Sequence, residues 1–194
     1  SLQRAFKLLQ AKLQTEGLFS AERKQPLPKF PQTIGVVSST DAAGYADFVK
    51  VIRARYPSIK LVVANTQVQG LLAPQQIVAA LGKLNSLSSL PDVIVVTRGG
   101  GSMEDLAAFN DERVVRTVAA SRVPVMSAIG HETDTTLIDL VADASASTPS
   151  NAAELIVPDV FELIRALQLK TQNLGQSLRM TLNAQSPLKS GVNV

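Results

Sequence analysis

The sequence predicts an α/β protein with an open, mostly parallel, doubly wound (Rossmann-like) sheet, helices on both of its faces and helical stubs at both ends. From residue 32, short runs rich in β-branched residues alternate four times with segments of helical periodicity, which is typical of βα units. The runs are apolar on consecutive residues, as in strands buried on both faces. With 194 residues, of which 45% are hydrophobic, the chain is long enough for one moderate domain plus flanking helix.

The first 31 residues are predicted to form a linker helix and a proline-rich connector. Apolar residues recur at steps of four, three and four, which is the pattern of an amphipathic helix ending near Gly17. These residues are Leu2, Phe6, Leu9 and Leu13. Residues 20–31 hold three prolines and three basic residues, which favours an extended connection.

The α/β domain is predicted over residues 32–158. Its strands are expected at 33–38, 59–64, 93–97 and 123–129. The helices after them are expected at 45–56, 74–87, 103–121 and 135–142, with a break in the third near Asn110. A polar loop over 145–150 and a short helix over 151–157 complete the predicted domain.

Residues 159–194 are predicted to hold the start of a long helical, coiled-coil region and then, from residue 186, a disordered tail. Pro158 opens this helix, and apolar residues spaced by four and three indicate a seam that packs against another helix. The seam residues are Val160, Ile164, Leu167, Leu174 and Leu178.

Charge is distributed unevenly along the chain. The formal net charge is +3, yet residues 91–159 carry eleven acidic and four basic side chains, and the segments before and after them are basic. The lack of cysteine excludes disulfides and thiolate metal sites. No apolar run approaches the roughly 18 residues of a membrane span, and no leader pattern is present. We therefore expect a cytoplasmic protein that does not bind membranes.

A glycine-rich loop is the first candidate site, because ligands of open parallel sheets bind at the carboxyl ends of the strands. The third predicted strand is followed by Arg98, Gly99, Gly100, Gly101 and Ser102. Three residues without Cβ, and a helix start at Ser102, present backbone N–H groups to an anion, and Arg98 adds a planar charge suited to phosphate. The spacing matches neither a dinucleotide fingerprint nor a P-loop. The alternative is a plain glycine-rich connection with a surface arginine.

The second candidate site follows the fourth strand. His131 is the chain's only histidine, and Glu132 and Asp134 flank it, so a carboxylate could orient the imidazole and raise its pKa. A structural role for a lone histidine is the alternative. Asp41 and Asp47, after the first strand, are weaker candidates, because an acid early in a helix also stabilises the helix dipole.

Together these residues suit attack on a phosphodiester. Arg98 and the loop amides would stabilise charge on the phosphoryl oxygens, while His131 with Asp134 would activate a nucleophile and protonate the departing oxygen. A two-metal site is the alternative, with ligands drawn from the acidic residues Asp41, Asp47, Glu132 and Asp134.

Several motifs resemble the catalytic domain of the large subunit of bacterial exodeoxyribonuclease VII over about residues 25–160. They are RGGGSMEDLAAFN from Arg98, GHETD from Gly130 and TPSNAAEL from Thr148, with PKFPQTIGVVSS and QVQG earlier in the chain. The resemblance implies a nuclease that degrades single-stranded DNA from both ends to oligonucleotides, in a complex of one large subunit and several small helical ones. It implies no obligatory metal, with Mg²⁺ as an optional cofactor.

The resemblance also implies catalytic roles for Asp47, Arg98, His131 and Asp134. Ahead of the first of these acids the family has Gly-Ala-Ala, where this chain has Ala42-Ala43-Gly44. The family's large subunit begins with an OB-fold and ends in a long coiled coil that binds the small subunits. Residues 1–20 resemble the helix that joins the OB-fold to the catalytic domain, and residues 159–183 resemble the root of the coiled coil.

Two other functions fit the same residues. A doubly wound domain of this kind could bind a small phosphorylated metabolite or a nucleotide. It could also be a non-catalytic DNA-binding module in which the glycine loop only docks an anion.

Overall fold

The computed structural model describes residues 2–98, 103–129 and 135–185, with the side chains of residues 2, 103–105 and 184–185 left aside. The chain divides into two compact units, one running to Pro158 and the other beginning at Asp159. The first unit is an α/β domain and the second is a helix.

A parallel sheet forms the centre of the first unit. In the described residues it has five strands, in the order β2-β1-β3-β4-β5, and every neighbouring pair is parallel. The strands are β1 Thr33–Ser38, β2 Lys60–Asn65, β3 Val93–Thr97, β4 Val125–Ala128 and β5 Ala144–Ser145. The four predicted strands are confirmed. Our expectation of a loop from residue 145 was wrong at Ser145, which pairs with Ser127 of β4.

The helices follow the predicted alternation. They are α1 Leu2–Thr15, α2 Ala43–Arg55, α3 Ala73–Asn85, α4 Glu112–Ala119, α5 Leu137–Val141, α6 Pro149–Ile156 and α7 Val160–Gln185. Short 3₁₀ segments occur at Ala21–Arg23 and Met103–Asn110. The predicted break near Asn110 is confirmed, because Asp111 caps α4 by accepting a hydrogen bond from the N–H of Arg113.

Hydrophobic cores lie on both faces of the sheet, which confirms the doubly wound architecture. Along β3, Val93 and Val95 pack with Phe48 of α2 and with α6, whereas Ile94 and Val96 pack with α3, α4 and α5. Strands buried on both faces need apolar residues at every position, and this requirement explains the unbroken run Val93–Val96.

Helix α1 belongs to the core of the first unit. We had grouped it with a linker, but Leu13 is fully buried among the residues of the α3 and α4 face. Lys12 also pairs with Glu112 of α4 at 2.8 Å, and Arg116 pairs with Glu16 at 2.8 Å. An amphipathic pattern shows that one helix face is buried, but it does not show which surface covers it.

In its described residues, the second unit consists of helix α7. Asp159 caps its start, since its Oδ1 accepts hydrogen bonds from the N–H groups of Phe161 and Glu162. Most of its apolar side chains are exposed, among them Ile164, Leu167, Leu174 and Leu178 of the predicted seam. The predicted tail from residue 186 lies outside the described residues. None of the helices in the described ranges is long and apolar enough to span a bilayer.

Candidate active site

The strand order defines where a ligand would bind. The chain passes from β1 outward to β2 and then returns past β1 to β3, so the direction of winding reverses between β1 and β3. In open α/β sheets the loops diverge at such a switch point and leave a crevice beyond the carboxyl ends of the strands. The loop after β1 leads to Asp41 and Asp47, and Arg98 directly follows β3. Arg98 and the loop that leads to Asp41 therefore follow the two strands that flank the switch point.

Arg98 is buried at this edge. Only 6% of the residue is exposed, and its Nε donates a hydrogen bond to the carbonyl oxygen of Ile129 at 3.4 Å. Ile129 lies at the end of β4, directly before the GHETD segment. These observations contradict the alternative of a surface arginine, because the guanidinium spans from the end of one strand to the end of the next.

Gly44 brings α2 close to Arg98. A Cβ atom at this position would lie 2.3 Å from the carbonyl oxygen of Arg98 and 3.0 Å from Cγ of Pro149. Only glycine tolerates backbone at such a distance. Gly44 therefore allows the first turn of α2 to pack against the end of β3 and the start of α6.

Asp47 lies one turn further along α2 and is exposed, as is Asp41 in the loop before the helix. The alternative role for Asp47, stabilisation of the helix dipole, is weak, because the first turn of α2 contains no acid and the effect fades beyond that turn. Asp47 thus keeps its carboxylate in solvent on the helix that contacts Arg98.

Polar side chains collect at the carboxyl ends of β1 and β3. Ser38 and Thr97 end these strands and are fully buried. Within the described ranges, Oγ1 of Thr97 has no hydrogen-bond partner. Leaving a buried hydroxyl unpaired costs about 1–3 kcal/mol. This cost is tolerated directly beside Arg98.

The remaining predicted site residues lie outside the described residues. They are Gly99, Gly100, Gly101, Ser102, His131, Glu132 and Asp134. Their assignments stay predictions, and Arg98 and Ile129, which precede the two segments, lie at the carboxyl ends of β3 and β4.

Sequence reasoning missed Asn110 and Asp139, which hold the start of α5. Oδ1 of Asn110 accepts the N–H of Leu137 at 2.8 Å, and Oδ2 of Asp139 accepts the N–H and the hydroxyl of Thr136 at 2.8 and 2.7 Å. The Thr136–Asp139 spacing is that of a capping box and could have been noticed in the sequence. No sequence signal indicates the partner of Asn110.

Resolved pKa shifts occur on the α1 and α4 surface. Hydrogen bonds from Arg113 lower the pKa of Asp111, and hydrogen bonds from Lys12 and Arg116 lower that of Glu112. No group of three metal-ligating side chains occurs in the part of the chain that the structure describes. Of the acids in the two-metal alternative, only Asp41 and Asp47 belong to that part.

A comparison with protein families identifies the chain. The family described as "Exonuclease VII, large subunit" matches residues 18–190, nearly the whole chain. The chain belongs to this family.

The curated relatives that match this chain include exodeoxyribonuclease 7 large subunits from three bacteria. The exodeoxyribonuclease 7 large subunit of Sodalis glossinidius (strain morsitans) is 49% identical over 177 residues, which cover 91% of this chain and 38% of the relative. That of Brevibacillus brevis is 46% identical over 185 residues, covering 95% and 40%. That of Proteus mirabilis (strain HI4320) is 49% identical over 177 residues, covering 91% and 38%.

The resemblance to the exonuclease VII large subunit is thus confirmed, and the chain spans about two fifths of the length of the curated relatives it matches. From residue 18 onward, the matched region covers the described residues of the α/β unit and of α7. In this exonuclease VII family member, Asp47 and Arg98 lie on elements that touch at the switch point.

Proposed function

We propose that this chain is the catalytic part of a nuclease that hydrolyses phosphodiester bonds of single-stranded DNA, from both ends, to give oligonucleotides. The buried Arg98 at the switch point is the observation that carries the proposal. A guanidinium held at the carboxyl edge of the sheet, next to a loop of three glycines, suits an oxyanion that is bound in a fixed orientation.

Each catalytic residue has a proposed role. Arg98 and the amides of Gly99–Ser102 bind the scissile phosphate and stabilise the charge that develops on it. His131 takes the proton from the attacking water as the water oxygen bonds to phosphorus, and it returns a proton to the departing ester oxygen. In a covalent version, a ring nitrogen of His131 bonds to phosphorus as the P–O ester bond breaks, the departing oxygen takes a proton from solvent, and water then hydrolyses the P–N bond to regenerate His131. Asp134 orients or charge-stabilises His131, and Asp47 positions the water or the imidazole.

The proposed partners follow from charge and from the helix α7. Residues 91–159 carry a net charge of −7, so most of the attraction for DNA must come from outside the catalytic segment. We assign it to the basic flanking segments and to an OB-fold of the larger subunit. The exposed leucines of α7 suit several copies of a small helical subunit. We place the complex in the cytoplasm, where the chain's lack of cysteine fits the reducing environment and bacterial DNA is accessible.

The proposal is tested with the complete large subunit reconstituted with its small subunits. We expect His131→Ala to abolish the release of oligonucleotides from single-stranded DNA. Arg98→Lys should lower kcat by at least about 100-fold, because lysine keeps the charge and loses the two-pronged geometry. Arg122→Lys is the matched control, since Arg122 lies before β4 at the opposite edge of the sheet and is exposed.

Two further outcomes separate the alternatives. Wild-type turnover by His131→Ala would overturn the assignment. DNA binding without cleavage by the wild-type complex would favour a binding module. Assays with and without EDTA test the metal requirement, and we expect activity to survive chelation, with Mg²⁺ at most an optional cofactor.

A further inference from the structure

The connection between β4 and α5 carries His131 and Asp134, and side chains from outside the connection hold both of its ends. At its start, the carbonyl of Ile129 accepts the hydrogen bond from Arg98. At its end, the N–H of Leu137 donates to Asn110 at 2.8 Å. The ends of this connection are therefore placed by contacts that sequence proximity does not provide.

Asp139 bridges the two ends with one carboxylate. Its Oδ1 accepts the hydroxyl of Ser127 in β4 at 2.5 Å, before the connection. Its Oδ2 accepts the N–H and the hydroxyl of Thr136, after the connection, at 2.8 and 2.7 Å. Ser127 is fully buried and Thr136 is 1% exposed, so water competes little for these bonds. The carboxylate of Asp139 therefore links Ser127 to Thr136, on either side of residues 130–134.

Asn110 links the connection between β4 and α5 to the RGGGSMEDLAAFN motif. It ends the 3₁₀ segment Met103–Asn110, which directly follows the glycine loop. Its bond to Leu137 thus links the RGGGSMEDLAAFN segment to the segment that contains His131. Arg98 makes a second link between the same two segments through Ile129.

We infer that Asn110 and Asp139 are positioning residues for the proposed nuclease reaction. They hold the chain on either side of residues 130–134, the segment whose sequence contains His131 and Asp134. This inference rests on the proposed function. A displacement of about 1 Å at reacting groups can lower a rate by about 100-fold, so the loss of either link should act on turnover.

Asn110→Ala in the complete reconstituted complex is the first test. We expect kcat on single-stranded DNA to fall 10- to 100-fold with KM within about twofold of wild type, since the variant leaves the phosphate-binding groups in place. Asn110→Asp keeps an acceptor for the Leu137 N–H and should recover most of the kcat that Asn110→Ala loses.

Asn85→Ala is the matched control. Oδ1 of Asn85 also accepts a backbone N–H at 2.8 Å, that of Arg122, but it does so at the amino edge of the sheet. Asn85 also bonds Leu81 and Ser121, so Asn85→Ala should lower Tm at least as much as Asn110→Ala, and only Asn110→Ala should lower kcat. Equal kcat values for the two alanine variants would overturn the inference.

Ser127→Ala provides a second test that does not depend on the folding of Asn110→Ala. It removes one contact of Asp139 with little change in volume, and we expect kcat to fall three- to tenfold with unchanged KM. Wild-type kcat in this variant would contradict the role of Asp139. If the positioning variants keep full activity while Arg98→Lys and His131→Ala do not, only the positioning inference fails. Full activity of Arg98→Lys and His131→Ala would instead reject the proposed function.

Discussion

The two edges of the sheet use polar side chains in different ways. At the amino edge, Asp92 precedes β3 and accepts the N–H groups of Gln32 and Thr33 at 2.7 and 2.8 Å. Asp143 precedes β5 and accepts those of Gln25 and Val125 at 2.6 and 2.7 Å. Asp92 thus joins the start of β1 to that of β3, and Asp143 joins the start of β4 to Gln25.

The carboxyl edge is arranged differently. There Thr97 buries a hydroxyl that has no partner within the described ranges, Arg98 is buried, and Asp41 and Asp47 remain exposed. Asp92 and Asp143, two acids of the negatively charged middle segment, hold backbone at the amino edge, and Asp139 does the same at the start of α5. Part of the acid content of residues 91–159 therefore serves stability.

Gly44→Ala should have the largest effect, because it affects the carboxyl edge and the packing together. The added Cβ would lie 2.3 Å from a backbone oxygen, so α2 must shift away from Arg98. We expect a loss of about 1–3 kcal/mol in the free energy of unfolding and at least about 100-fold in kcat. Gly82→Ala is the control, since a Cβ there meets nothing within 4 Å and alanine favours the helix. Wild-type activity of Gly44→Ala would show that the close contact has no functional role.

Asp143→Ala should separate stability from activity at the amino edge. It removes two hydrogen bonds between a carboxylate and backbone N–H groups. We expect the free energy of unfolding, measured by urea denaturation, to fall by about 3 kcal/mol. Turnover measured well below the unfolding transition should stay within twofold of wild type. A large loss of turnover in the folded variant would break the proposed division between the edges.

Asp47→Asn should lower turnover with little effect on stability. The side chain is exposed and lies beyond the first turn of α2, so Tm should change by less than 1 °C. Turnover should fall by about tenfold or more if Asp47 positions the water or the imidazole. Asp41→Asn is the matched control, and we expect it to stay within threefold of wild type. Equal losses in both variants, relieved by added Mg²⁺, would favour the two-metal mechanism.

Asp111→Ala should give the smallest effect and a defined pH dependence. Removal of the α4 cap should cost about 1 kcal/mol at neutral pH. Hydrogen bonds from Arg113 lower the pKa of Asp111 in the folded protein, so its stabilisation is present above the unfolded pKa of about 3.9 and is lost as the pH falls through the folded value. The difference in Tm between wild type and variant should therefore shrink below about pH 4. A difference that stays constant down to pH 2 would contradict this assignment.

Local pattern explains why most elements were predictable. Runs such as VIVVT and the spacing of apolar residues in α2 and α3 predict their own secondary structure. Burial on one or both faces of an element determines where apolar residues recur in its sequence. Strand β5 was missed because two residues carry no periodicity and owe their conformation to pairing with Met126 and Ser127.

The site was predictable to a smaller extent. The sequence placed Arg98 and Asp47 at the edge where the structure has them, because parallel strands bring their carboxyl ends together. The contact of Gly44 with Arg98 and the bond between Asn110 and Leu137 join residues more than 25 positions apart. Such contacts arise from how the helices pack on the sheet, which no local pattern in one sequence specifies.

The brevity of β5 also affects how the molecule behaves in concentrated solution. The strand order leaves β2 and β5 at the borders of the described sheet, and an open border with unpaired N–H and C=O groups can recruit strands from other molecules. A border of two residues, Ala144 and Ser145, offers almost no template for such growth. At the other border, Lys60 places an exposed charge at the start of β2. The short β5 border and the charge of Lys60 are both features that disfavour edge-to-edge pairing.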